Sequence, residues 1–157
     1  MPSRRDAIRM TIDERVAFLE TMPFGVFASI GPGGDPHQVT LGFALDGPST
    51  VVLSSFGAAQ KVRNVERVPR GSFLVERTEP YDEICGVLLS GPVRVVRDAD
   101  EVAEWFRRTK ARSARLRDPS QLPPMDEGAV LAKRVLLVLE ASRAITWDHR
   151  KLGGGVY

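Results

Sequence analysis

The chain has 157 residues, of which 43% are hydrophobic and 27% charged, so it can bury a core and is not disordered as a whole. Its 22 Lys and Arg against 20 Asp and Glu leave a net charge of +2, too small an excess to indicate a nucleic-acid binder. A single cysteine excludes an internal disulfide and a multi-cysteine metal site. Without a signal-peptide pattern or an apolar run of about 18 residues, the chain is predicted to be one cytoplasmic domain that does not bind membranes.

The predicted elements begin with a flexible arm, residues 1–9, and a short helix. Thr11 and Glu14 have the spacing of a capping box, and Pro23 marks the helix end. The predicted apolar face of this helix consists of Ile12, Val16 and Leu19.

Three strands are predicted next, over residues 24–30, 38–45 and 50–55. Segments rich in Gly, Pro and Asp separate them, at residues 31–36 and 46–49. Because consecutive strands joined by short turns pair with their neighbours, we expect this part of the sheet to be antiparallel.

A basic turn follows the third strand, and the two together predict an anion site. Ser54 and Ser55 end the strand, and Lys61 lies in a helix predicted over residues 58–67. Free N–H groups at a helix start, the positive end of the helix dipole, hydroxyls and an ammonium group together suit a phosphate. The alternative is a solvated surface turn with a basic face.

The second half of the chain predicts strands over residues 72–76 and 84–96, the latter bent at Gly91 and Pro92, which suits a sheet that curls into a barrel. A helix is predicted from Asp98 to about residue 116. Its acidic start and basic end are favoured by the helix dipole, so we interpret this helix as a solvated one rather than as a nucleic-acid-binding surface. Residues 119–128 are predicted to form a loop.

The last predicted strand spans residues 135–147, and its centre, residues 136–139, is apolar on both faces. We expect one face to meet the core and the other to meet a partner subunit. Six strands and three helices in a chain of this length predict a small, mainly β, antiparallel barrel with peripheral helices, forming a homodimer. Residues 152–157 are predicted to be a flexible tail, and Cys85 is expected to be buried and inert.

The order and spacing of several segments resemble those of the split-barrel flavin and deazaflavin oxidoreductase superfamily, which is related to pyridoxamine 5'-phosphate oxidase. The segments that carry the resemblance are residues 10–19, 34–37, 52–64, 86–96 and 147–152. The ending Trp147-Asp148-x-x-Lys151-Leu152 resembles the branch that contains F420-dependent reductases.

The resemblance implies a six-stranded split β-barrel that binds F420, preferred, or FMN at a homodimer interface. It implies that the hydroxyls of Ser54 and Ser55 and the ammonium group of Lys61 hold the phosphate of the cofactor. It also implies that the second strand lines the cofactor ring and that Trp147 and Lys151 help to close the site. The residues implied in cofactor binding are His37, Val39, Thr40, Ser54, Ser55, Gln60, Lys61, Asn64, Trp147 and Lys151.

The sequence departs from the family pattern just before the lysine. Ala59 and Gln60 stand where relatives commonly carry a hydroxyl residue and an arginine. One charge fewer weakens phosphate binding, because each charge-assisted hydrogen bond contributes about 1.5 to 3 kcal/mol. Arg63 is the candidate replacement for that charge.

No nucleophile elbow, catalytic triad order or metal-ligand spacing is present in the sequence. This fits hydride transfer, in which the cofactor carries the reactive atom. The sequence and the resemblance therefore predict an oxidoreductase that transfers a hydride between F420 or FMN and a small organic substrate, without catalytic side chains. The alternative is a non-catalytic flavin- or haem-binding protein for storage, carriage or sensing, with His37 as the axial ligand of a haem.

Overall fold

A computed structural model describes residues 3–118, 120 and 126–153, and strands dominate it. The strands are β1 (Phe24–Ile30), β2 (Pro36–Gly42), β3 (Ala44–Leu45), β4 (Thr50–Phe56), β5 (Arg70–Arg77), β6 (Cys85–Val96), β7 (Arg134–Glu140) and β8 (Arg143–Asp148). The helices are α1 (Arg4–Ala7), α2 (Ile12–Thr21), α3 (Gln60–Arg67), α4 (Ala99–Leu116) and α5 (Glu127–Leu131), with single 3-10 turns at Tyr81–Glu83 and His149–Leu152. Among these helices, none has the length and apolar character that crossing a membrane requires.

The strands pair antiparallel into a sheet that curls back on itself. β1 pairs with β2 and β5, β5 pairs with β6, β6 with β7, β7 with β4, and β4 with β3. Because Phe43 alone separates β2 from β3, these pairings form a ring of strands, and β8 lies outside the ring on β6. The mainly β, antiparallel prediction is confirmed, whereas the predicted count of six strands is wrong, since the described residues form eight.

Two predicted strands are each divided in the structure. The predicted strand 38–45 breaks at Phe43, and the predicted strand 135–147 breaks at residues 141–142, where β7 ends and β8 returns along a different part of β6. Gly42 directly precedes the break at Phe43, whereas the break at residues 141–142 carries no Gly or Pro. The first segment is divided because its two parts pair with different strands, β1 and β4, and the second because β7 and β8 pair with different parts of β6.

Two short helices were not predicted. α1 lies within the predicted arm and is capped by Ser3, and α5 begins within the predicted loop and is capped by Asp126. Residues 119 and 121–125 of that loop and residues 154–157 of the predicted tail lie outside the described part of the chain.

β6 changes partners at the predicted bend. It pairs with β8 as far as Ser90 and with β7 from Val93 onward. A Cβ atom on Gly91 would lie 2.1 Å from the carbonyl oxygen of Glu140, so only glycine fits this backbone approach. The bend therefore joins the two halves of the curled sheet.

Apolar side chains fill both sides of the β4–β7 pair. The ring encloses a core in which Phe27, Phe73 and Leu137 are fully buried. On the outer side, Leu136 packs with Trp105 of α4 in a second cluster. The second apolar face of the last predicted strand is thus covered within the protomer by α4, and the expectation that a partner subunit covers it is wrong.

The capping box of α2 is present, because Thr11 accepts a hydrogen bond from the Glu14 amide while the Glu14 carboxylate accepts one from the Thr11 amide. The predicted apolar face is wrong in part, since Ile12 is 59% exposed. The side chains that α2 buries are Arg15, Phe18 and Leu19.

Candidate functional site

A pocket of about 300 Å³ opens between β2, β4 and the second half of α4. We call it the cationic pocket, because its charged lining residues are Lys110, Arg117 and Arg134, all positive. Thr40 of β2 and Ser54 of β4 provide hydroxyls on its sheet side. Positive charge and hydroxyl donors around one cavity suit an anion.

The two predicted strand-end hydroxyls point to opposite faces of β4. Ser54 lines the cationic pocket, and its Oγ is buried without a hydrogen-bond partner among the described residues. Ser55 is turned toward the barrel interior, where it is 1% exposed and its Oγ donates to the carbonyl of Phe56 at 3.2 Å. The two-residue period of a strand was sufficient to predict that adjacent serines diverge.

The predicted ring-binding residues of β2 are divided in the same way. Thr40 faces the cationic pocket, whereas Val39 packs against the barrel core. His37 lies two residues before Val39 and so shares its face of the strand; it is half-buried, and its Nδ1 has no hydrogen-bond partner among the described residues. Of these three side chains, only Thr40 lies beside Ser54.

α3 begins next to the end of β4 without a side-chain cap. Ala59 occupies the N-cap position, where Ser, Thr, Asp and Asn are preferred because their oxygens accept a hydrogen bond from the first turn. The amide groups at the start of α3 therefore remain available as donors, at the positive end of the helix dipole.

Lys61 lies in this first turn and is half-buried. Burial lowers the pKa of its ammonium group, and the nearby charge of Arg134 lowers it further. Within the described ranges it forms no ion pair with a carboxylate. Lys61 is therefore a partly desolvated cation beside a second cation, and an anion would relieve both effects.

Gln60 and Asn64 fasten α3 to the sheet. The Asn64 side chain is fully buried, accepts a hydrogen bond from Gln60 Nε2 at 2.8 Å and donates one to Ser29 Oγ of β1 at 3.1 Å. Both predicted site residues therefore orient the helix that carries Lys61, and none of the three side chains lines the cationic pocket.

Trp147 and Lys151 are not brought to the pocket within one protomer. Trp147 pairs with Gly86 at the start of β6 and does not line the pocket. The Lys151 ammonium donates to the Arg9 carbonyl at 2.8 Å and pairs with Glu14 at 2.6 Å.

Arg134, the first residue of β7, is a pocket residue that the sequence did not indicate. Its guanidinium lies 4.0 Å from the ring centroid of Phe56 and 5.6 Å from that of Phe106. Its Nε is buried without a hydrogen-bond partner among the described residues, and burial lowers its pKa. Only the pairing of β4 with β7, which places Phe56 opposite Arg134, reveals this position.

Comparison with known proteins places the chain among flavin-related folds. The sequence model of the family described as pyridoxamine 5'-phosphate oxidase matches residues 11–148. No curated protein matches the sequence. The solved structure of the conserved hypothetical protein Rv2991 from Mycobacterium tuberculosis is 29% identical over 97% of this chain and 93% of its own, with a TM-score of 0.82.

Two further solved structures share the fold. A protein named F420 reductase is 23% identical, with 81% of this chain and 93% of that chain covered and a TM-score of 0.62. A FAD-binding protein from Mesorhizobium loti is 15% identical, with 90% and 97% covered and a TM-score of 0.68. At these identities the two structures support the fold alone.

Proposed function

The chain belongs to the pyridoxamine 5'-phosphate oxidase family, and on that premise we propose that it binds F420 or FMN and transfers a hydride between this cofactor and a small organic substrate. The observation that carries the proposal is the buried, unpartnered hydroxyl of Ser54 in a pocket whose charged residues are all cationic. Such a group lacks a hydrogen bond until a ligand supplies one.

The donors around the cationic pocket fit the anionic end of such a cofactor. A phosphate accepts several hydrogen bonds and carries negative charge, and Ser54 offers a hydroxyl inside the pocket. Lys61 does not line the pocket, but burial and the charge of Arg134, which does line it, lower the pKa of Lys61, so its ammonium group and the uncapped start of α3 offer further donors from the Arg134 side. These groups would hold the phosphate. They replace the larger set implied by the resemblance, because Ser55 and Asn64 are engaged elsewhere.

An apolar surface for the ring continues from Thr40 across the sheet. Thr40 pairs with Val26, which pairs with Leu74 of β5, which in turn pairs with Leu88 of β6. These apolar side chains lie on the face away from the barrel core and are half-buried. A flat conjugated ring system packs on a surface of this kind.

The bound cofactor supplies the hydride chemistry, and the residues of the chain bind it, orient it and exclude water. F420 is preferred over FMN because Arg117 extends the positive charge of the pocket, as a longer anionic tail requires, whereas Lys110 pairs with Glu127 at 3.5 Å. Arg150 and Lys151, near the end of the described chain, already pair with Asp148 and Glu14.

The proposal is tested by titrating the purified protein with FMN and with F420. We expect one of them to bind, and Lys61→Ala to weaken its binding at least about tenfold, because a charge-assisted hydrogen bond to phosphate contributes about 1.5 to 3 kcal/mol. Lys133→Ala is the matched control, since Lys133 is exposed, whereas Lys61 is half-buried and near the charge of Arg134. Failure of both cofactors to bind, or equal affinity of the Lys61 variant and the parent protein, contradicts the proposal.

A non-catalytic haem-binding role is the second candidate. The observation that favours it is His37, whose half-buried imidazole has a ring nitrogen without a partner in the described part of the chain. The visible absorption spectrum of the protein mixed with haem decides between haem binding and the proposed cofactor binding.

Oxidoreductase activity is measured as turnover of reduced F420 or FMN with a panel of quinones, enones and tetrapyrroles.

A further inference from the structure

We propose that Arg134 is a second cation for the phosphate of the bound cofactor and supplies the charge that is absent at Gln60. This inference rests on the proposed function and adds to it a residue on β7. We base it on the position of Arg134, on its neighbours and on the absence of an ion pair at Arg134 among the residues that the structure describes.

Two aromatic rings lie beside the Arg134 guanidinium. Phe56, its direct neighbour across the β4–β7 pair, lies 4.0 Å from it, and Phe106 of α4 lies 5.6 Å from it. A guanidinium stacked on aromatic rings keeps the edge that carries its N–H donors free for a planar or tetrahedral anion. That edge belongs to a side chain that lines the same pocket as Ser54.

The charges around Arg134 are unbalanced in the described part of the chain. Neither Arg134 nor Lys61 forms an ion pair there, and the charge of Arg134 contributes to the lowered pKa of Lys61. Two partly buried cations that repel each other cost stability unless an anion lies close to both. By contrast, the neighbouring Arg97 is neutralised by Glu66 at 2.5 Å.

Arg63, the replacement suggested by the sequence, is less suited to this role. It follows Lys61 by two positions, so it lies about 200° further around the helix and points away from the side of Lys61. Its side chain is exposed. Arg134 reaches the pocket from a different element and does not depend on the direction of α3.

The test compares a phosphorylated ligand with its dephosphorylated analogue. Arg134→Met keeps an unbranched apolar stem between the two rings and removes the charge. We expect its affinity for FMN to fall at least about tenfold and its affinity for riboflavin, which lacks the phosphate, to change less than about twofold. If the protein binds F420 in place of FMN, the deazaflavin alcohol without phosphate replaces riboflavin.

Arg108→Met is the matched control, because Arg108 also lies over an aromatic ring, Trp105 at 3.8 Å, but does not line the cationic pocket. It should leave both affinities unchanged. Arg134→Lys, which retains a positive charge, should retain more FMN affinity than Arg134→Met, and thermal unfolding of each variant verifies that it is folded.

The outcomes separate this inference from the proposed function. If Lys61→Ala weakens FMN binding and Arg134→Met does not, the role of Arg134 is refuted while the phosphate site stands. If Arg134→Met weakens FMN and riboflavin equally, Arg134 acts through packing and the inference is also refuted. If neither variant affects FMN binding, the phosphate site itself is refuted.

Discussion

Asp148 is buried at the end of β8, and its carboxylate accepts hydrogen bonds from two neighbouring side chains. Arg150 donates to it from Nε at 2.8 Å and from a terminal nitrogen at 2.7 Å, and Cys85 Sγ donates at 3.2 Å. The hydrogen bonds from Arg150 lower the pKa of Asp148 to about 2. Burial raises the pKa of the Cys85 thiol, which accords with the prediction of a buried, inert cysteine.

We predict that this carboxylate makes the stability of the protein depend on pH. The folded pKa of about 2 lies below the ordinary value of 3.8, so the stabilisation is complete above that value and is lost as the pH falls toward 2. Asp148→Asn should reduce the free energy of unfolding by about 2 kcal/mol at neutral pH. Urea unfolding at a series of pH values measures this. A difference between variant and parent that stays constant down to about pH 2 would contradict the role of the charge.

Individual residues of the candidate site were only partly predictable from the sequence. Lys61 and Ser54 could be identified from the sequence alone, because a hydroxyl at a strand end followed by a lysine at a helix start is a pattern that suits phosphate binding. The opposite direction of Ser55 was also predictable from the strand period. Arg134 was not, because its role depends on which strand lies beside β7, and no local pattern carries that information.

Arg112 of α4 connects three elements. It is 7% exposed, donates hydrogen bonds to the carbonyls of Leu19, Met22 and Phe43, and lies 4.0 Å from the ring centroid of Phe43. The helix that lines the cationic pocket is thereby tied to the end of α2 and to the link between β2 and β3.

We predict that Arg112→Met destabilises the protein by about 3 kcal/mol or more, because it leaves buried carbonyl groups without donors at a cost of about 1 to 3 kcal/mol each. The matched control is Arg115→Met. Arg112 and Arg115 both pair with Glu20, at 3.6 Å and 2.9 Å, but Arg115 is exposed, so its loss should cost less than about 1 kcal/mol. Urea unfolding of both variants tests this, and similar losses for the two would contradict it.

The elements themselves were predictable where local signals bound them. β1 and α4 have their predicted limits, because Pro23 and the turn at residues 31–36 enclose the first and Asp98 caps the second. The breaks inside the predicted strands 38–45 and 135–147 were not predictable. The first arises because its two parts pair with different strands, β1 and β4, and the second because the chain returns along a different part of β6 after β7 ends.

At the scale of the whole molecule, one face of the sheet retains exposed apolar surface. Val26, Leu74, Leu88 and Ile145 form a cross-strand row on the side away from the core, and Phe24 at the edge of this face is 37% exposed. We propose that a second copy of the chain covers this face together with the cofactor ring, which would then lie between the two protomers. In such a dimer, Trp147 and Lys151 of one protomer would approach the cationic pocket of the other, which they do not line in their own protomer.

We predict that Leu74→Glu converts a dimer into a monomer, because a buried, unpaired carboxylate is strongly unfavourable at an apolar interface. Light scattering on the purified proteins measures the mass of each. The parent protein should be dimeric and the variant monomeric, with weaker cofactor binding in the variant. A monomeric parent protein, or a variant that remains a dimer, would contradict the proposed interface.

The central claim is that the cationic pocket holds the phosphate of the cofactor, and a crystal structure of the protein with bound F420 or FMN tests it most directly. We expect the phosphate to lie within hydrogen-bonding distance of Ser54 Oγ and of the Lys61 ammonium group, at the start of α3. A phosphate bound elsewhere on the protein, with Lys61 directed into solvent, would contradict it.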